Sequence, residues 1–108
     1  MHDVNKNIMG LYMKVRLIES PKVDKKFRAV FVDSGKFVDF GGKGYSDYTI
    51  HKDRDRMQRY LVRHRRRETW TKVGVHTPGF WSRWLLWSRP TLNGAKRLMR
   101  QKFGVVFV

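Results

Sequence analysis

At 108 residues, with 41% hydrophobic and 14% aromatic side chains, the chain reads as one domain with a real core and is too apolar for intrinsic disorder. It has no cysteine, which excludes disulfides, thiolate metal sites and a cysteine nucleophile, and no apolar run approaches the ~20 residues that span a bilayer. The net charge of +15, from 24 Lys and Arg against 9 Asp and Glu, points to polyanions or acidic protein faces as partners.

The charge is unevenly spread. Residues 1–50 hold nine Lys and Arg against six acids, residues 51–67 hold eight against two, and Glu68 is the last acid in the chain. The opening residues lack the basic-then-apolar layout of a secretory signal, so a soluble intracellular chain is expected. Residues 1–10 read as an N-terminal extension, 11–104 as a basic α+β domain and 105–108 as an apolar tail.

From Leu11 to Ile18 apolar and polar residues alternate, which predicts a half-buried strand with Leu11, Met13, Val15 and Leu17 on one face. Ser20-Pro21-Lys22 turns the chain. Strands over Lys26 to Asp33 and Lys36 to Phe40 follow, joined at Ser34-Gly35. A two-residue loop there sets Asp33 opposite Lys36, Phe31 opposite Val38 and Ala29 opposite Phe40. Phe27, Ala29, Phe31, Val38 and Phe40 then share one face. Gly41-Gly42-Lys43-Gly44 ends the sheet; without P-loop spacing it reads as a connector rather than a phosphate cradle.

From Asp53 to Arg67 the period becomes helical. Met57, Tyr60, Leu61 and His64 fall at i, i+3, i+4 and i+7 and face inward, with Asp53 or Thr49 as the cap. Arg56, Arg59, Arg63, Arg66 and Arg67 cover the other side. Five arginines with no acid among them exceed what solubility needs, so this face is the candidate surface for a polyanion or an acidic partner.

Pro78 to Trp87 predicts a second helix, capped by Thr77 with Pro78 at its first position. Phe80, Trp84 and Trp87 form one stripe, Trp81 and Leu85 another, and Leu86 lies nearly opposite. A helix apolar almost all round is buried by its own fold or by another protein. Trp81, Trp84 and Trp87, with Phe107 in the tail, are therefore the candidate interface anchors. A third helix runs from about Thr91 to Phe103, with Leu92, Ala95, Leu98 or Met99, and Phe103 inward, and Gly104 closes it. Val105 to Val108 either adds a strand or reaches a neighbour. The expected fold is α+β: a three-stranded antiparallel meander followed by about three helices.

Catalysis is not expected. His2, His51, His64 and His76 show no metal-ligand spacing, and Asp39, Asp47, Asp53 and Asp55 have no reason in the sequence to converge. No metal, cofactor or small-molecule substrate is called for.

Two long blocks of the chain carry a resemblance. They are Gly44-Tyr45-Ser46-Asp47-Tyr48-Thr49-Ile50-His51-Lys52-Asp53 and Gly79-Phe80-Trp81-Ser82-Arg83-Trp84-Leu85-Leu86-Trp87, supported by Arg59-Tyr60-Leu61, Arg63-His64, Glu68 with Trp70, and Pro90-Thr91-Leu92. Over residues 12–103 the chain resembles a family of short basic proteins encoded by large nucleocytoplasmic double-stranded DNA viruses, including algal viruses. The resemblance implies a virion protein assembled in the infected cell: a minor capsid protein on the inner side of the shell, in contact with the major capsid protein and other minor capsid proteins. The alternative is a nucleic-acid-binding protein associated with the viral genome, and a small basic nuclease is a distant third.

Overall fold

Alternation at the start of the domain becomes the first strand of a sheet in a computed structural model that describes residues 12–108. Three strands come first: β1 (Met13–Glu19), β2 (Lys25–Phe31) and β3 (Phe37–Gly42). Helices α1 (Tyr48–His51) and α2 (Arg54–His64) follow, then a 3-10 turn (Lys72–Gly74). Helix α3 (Pro78–Trp81) runs without a break into a π-helical segment (Ser82–Leu86), and α4 (Leu92–Phe103) and β4 (Val105–Phe107) close the fold. The chain is a single-domain α+β protein with a mixed four-stranded sheet in the order β3-β2-β1-β4. Leu11 and the 1–10 extension lie outside the described residues. No described helix is long and apolar enough to cross a membrane.

The β1-β2-β3 meander is antiparallel, as the alternation predicts, but its hairpin register differs by two residues. Ala29 pairs with Val38 and Phe27 with Phe40. A two-residue hairpin loop needs positive φ at its first or at both positions, and Ser34-Gly35 supplies it only at Gly35, with φ of 75°. The chain instead closes a longer loop, in which Phe31 N–H donates to Lys36 O (2.8 Å) and Gly35 N–H to Phe31 O (2.8 Å). An even slip keeps every side chain on its face. Phe27, Ala29, Phe31, Val38 and Phe40 therefore still line the core.

The apolar tail is the larger difference. Val105 to Phe107 pair in parallel with Met13 to Val15, so the sheet has a fourth strand and is no longer purely antiparallel. Gly104, in the left-handed region at φ 71°, ends α4 and turns the chain onto the β1 edge, where Met13 N–H reaches Gly104 O at 2.8 Å. At the other end of α4 the Thr91 side chain accepts from Gly94 N–H, and Ala95 and Met99 are fully buried.

A further helix, α1, was not expected. Asp47 caps it by accepting from Thr49 N–H (2.9 Å) and from the Thr49 hydroxyl, and Lys52 ends it with φ of 57°. Asp53 then caps α2, its carboxylate accepting from Asp55 and Arg56 N–H. Those two donors, Arg56 first, hold the Asp53 carboxyl below the usual carboxylate range.

The helix rich in tryptophan lies at the centre of the molecule, and its three indoles meet three different parts of the same chain. Trp81 has no exposed surface and packs on Phe31, Phe40 and Phe107 of the sheet. Trp84 meets Phe103 of α4 edge-on at 5.1 Å, and Trp87 stacks flat on Tyr60 of α2 at 4.2 Å. Sheet, α4 and α2 thus each cover part of a helix apolar on all sides, and Trp84 and Trp87 stay half-buried. The indole N–H groups of Trp81 and Trp84 donate to Val75 O (2.7 Å) and Trp70 O (2.8 Å). Thr77 is the N-cap by position only, because its hydroxyl donates to Gly74 O instead. At the far end, Ser88 Oγ and Arg83 donate to the carbonyls of Trp84 and Trp87, groups the π turn leaves without helical partners.

Gly41 makes the close approach of sheet and helix possible. Its φ is 78°, and a Cβ there would lie 2.9 Å from Leu86 Cδ1. On the opposite face of the sheet Arg28 and Asp39 form a cross-strand pair, Nε to Oδ1 at 2.9 Å and NH2 to Oδ2 at 3.0 Å. The Ser20 hydroxyl adds a third bond to Asp39 at 2.8 Å. Arg28, then Ser20, hold the Asp39 carboxyl below the usual carboxylate range against its burial. The stabilisation is therefore complete above the unfolded carboxyl value, about 3.9, and is lost as pH falls through the depressed folded one. In acid melting series the wild type should lose melting temperature below about pH 4. Asp39→Asn should start lower at neutral pH and decline less in acid; curves that superimpose would remove this pair from the acid response.

Candidate polyanion-binding surface

Helix α2 separates its residues as the period requires. Met57 and Tyr60 are buried, Leu61 and His64 half-buried, and Arg56, Arg59, Arg63, Arg66 and Arg67 all exposed. The last two sit just beyond the helix, in the turn after His64. Tyr60 is held between His64 and Trp87, each 4.2 Å away. This burial, with the Glu68 carboxylate nearby, pushes its hydroxyl well above the ordinary tyrosine range. His64 is a packed ring bonded to Glu68 (Nδ1 to Oε2, 3.1 Å), and Glu68 also accepts from Trp70 Nε1 at 2.9 Å.

None of the five arginines lies within ion-pair distance of a described carboxylate. The ion pairs seen among described residues are Lys26–Asp47 at 2.7 Å, Arg28–Asp39, and His64 with Glu68. Of the acids near α2, Asp53 is committed to the cap, Asp47 to Lys26 and α1, and Glu68 to His64 and Trp70; Asp55, exposed in the first turn of α2, is in ion-pair range of none of the five. Like charges on neighbouring turns repel, so the face carries positive charge that no described ion pair offsets.

The single arginine face of the sequence reading divides in space. Arg56 and Arg63 lie along a cleft of about 490 Å³ between α2, the end of the β2–β3 hairpin and the start of α3. Arg59 turns outward beside Val62, which is 70% exposed, over a shallow hollow that Arg63 also borders. Across the cleft stand Lys25 and Tyr45, two residues the sequence reading did not single out. The signal for Tyr45 was its place beside Gly44 after the sheet's last residue. Gly42 has no Cβ to hold the ring away; one built there would be 2.7 Å from Tyr45 Cδ2.

The glycine run forms no phosphate cradle. Gly41 and Gly42 end β3, and the N–H groups of Lys43 and Tyr45 bond to Asp24 O (2.9 Å) and Gly42 O (3.2 Å). Among the described residues no three His, Asp or Glu side chains converge as a metal centre would require.

One of the candidate anchors is corrected. Trp81 is wholly inside the core and offers nothing to a partner. Phe107 belongs to β4, half-buried and edge-on to Trp81, with Lys96 Nζ 5.3 Å from its ring centre. Trp84 and Trp87 keep part of their surface exposed. Arg83 lies 4.3 Å over the Trp84 ring, and Trp87 borders the cleft.

Residues 15–64 match a family described as a family of unknown function (DUF5754). The chain is similar to that family from within β1 to the end of α2, so the similarity includes the hairpin and the first three arginines but not α3 or α4. No curated protein and no solved structure matches the chain.

Proposed function

We propose that this chain is a structural virion component, a minor capsid protein that bridges or cements capsomers on the inner side of a large icosahedral shell. The observation that carries this reading is the set of five exposed arginines on and just after α2, with no described carboxylate in ion-pair range. An anionic surface that met this face would neutralise charges that otherwise repel one another. The resemblance to short basic proteins of large double-stranded DNA viruses supports a shell as the setting, with the major capsid protein and other minor capsid proteins as partners. Trp87 supplies aromatic surface in the cleft that Arg56 and Arg63 border, and Trp84 keeps part of its ring exposed. A non-catalytic role is supported by three of the four aspartates considered above, since Asp39, Asp47 and Asp53 are each engaged in a structural pair or cap and only Asp55 is not.

The test is the composition of purified particles. The protein should be present at a fixed ratio to the major capsid protein and should remain with shells emptied of genome. A variable ratio, or loss together with the DNA, would overturn the shell role. Loss with the DNA would favour the genome-associated alternative.

A further inference from the structure

The cleft beside α2 has its own chemistry. Four cations border it: Lys26 is paired with Asp47, while Lys25, Arg56 and Arg63 are in no ion pair with a described acid. Both acids in its wall are already occupied, Asp47 by Lys26 and Glu68 by His64 and Trp70. The wall therefore presents net positive charge toward an incoming group. Among its rings, Tyr60 has both faces covered, by His64 and by Trp87. Tyr45, on the rim, is 77% exposed and has a face free to stack. Cations arranged around a free aromatic face are how proteins hold unpaired nucleotides: the cations meet phosphate and the ring takes a base. At about 490 Å³ the cleft is of small-ligand size.

We propose that this cleft binds single-stranded nucleic acid, with backbone phosphates at Lys25, Arg56 and Arg63 and one base stacked on Tyr45. The inference goes beyond the shell role and does not depend on it, because Arg59 and Arg66 lie outside the cleft and remain free for a protein partner.

Fluorescence anisotropy of the full chain with labelled oligothymidine, and with a duplex of equal length, tests it. The single strand should bind more tightly. Tyr45→Ala should weaken single-strand binding by about tenfold, the lower range for a lost base–aromatic stack, and leave duplex binding unchanged. Tyr45→Trp should restore it. Lys25→Ala and Arg63→Ala should each flatten the dependence of log affinity on log salt by roughly 0.7. Arg97→Glu, on the exposed face of α4, changes net charge as much as Lys25→Glu and should weaken single-strand binding less. Circular dichroism and melting of each variant identify any that fail to fold, and Tyr45→Leu then replaces Tyr45→Ala, with the same weakening expected because the aromatic face is lost while the apolar bulk is kept. Equal single-strand and duplex affinity, or a Tyr45→Ala protein that folds and binds as the wild type, would overturn the proposal. So would equal effects of Arg97→Glu and Lys25→Glu. Displacement of the oligonucleotide by polyglutamate at equal charge would assign the cleft to acidic protein instead.

Discussion

Reversal of Arg59, Arg63 and Arg66 to glutamate should leave the fold intact and abolish the interaction proposed for the α2 face. All three side chains are exposed, while Met57 and Tyr60 on the buried face of α2 hold the helix to the core. Each reversal removes two units of charge from a chain at +15, which relieves repulsion within the folded state rather than adding to it. The melting temperature should therefore move by no more than a few degrees. Incorporation into particles should be lost. On duplex DNA, where each phosphate contact contributes a slope of roughly −0.9, the triple variant should flatten the salt dependence by up to about 2.7. A variant that unfolds would make these arginines part of the packing. One that enters particles and binds DNA as the wild type does would remove α2 as the binding surface.

Trp81→Ala produces the largest loss of stability of any single substitution in the tryptophan segment. The indole is fully enclosed by Phe31, Phe40, Phe80 and Phe107, and its N–H bond to Val75 is buried. Truncating a buried aromatic side chain costs about 3–5 kcal/mol, a large part of the ~5–15 kcal/mol that holds a domain together. A fall of at least about 12 °C in melting temperature is expected for a domain of this size. Trp87→Ala and Trp84→Ala remove half-exposed rings and should cost less. If either anchors the protein in a particle, that variant melts close to the wild type yet is poorly incorporated, because losing an interface anchor costs about 2 kcal/mol or more of binding. A Trp81→Ala protein that melts within a few degrees of the wild type would contradict the central position of α3.

Local periodicity was the most legible part of this chain. The strands of the meander, the inward set of α2 and both ends of α4 follow from alternation, 3.6-residue spacing and cap chemistry, and tertiary packing leaves them in place. The hairpin slipped because turn geometry at Ser34-Gly35 decides register, and the facing pairs were plausible in either alignment. The tail strand was undecidable from its residues, since Val105 to Val108 fits an edge strand as well as a docking tail until the path of α4 is known. For the tryptophan segment the pattern established that every side was apolar but not how many neighbours would cover it. Three did, so Trp81 is core. The arginine face was legible as charge; its division into a cleft wall and an outer side depended on where the β2–β3 hairpin lies, and so did the discovery of Lys25 and Tyr45.

The pairing of β1 with β4 also sets an order of events during synthesis. Residue 13 leaves the ribosome long before residue 105, its partner in the register. At cellular elongation rates the β1 edge waits on the order of 5–20 s for the strand that covers it. Unpaired strand edges recruit other nascent chains. The exposed Lys14 and Arg16 on β1 put positive charge along that waiting edge, where each new copy repels the next. The same excess of cations that leaves the finished surface positive thus keeps its unfinished copies apart.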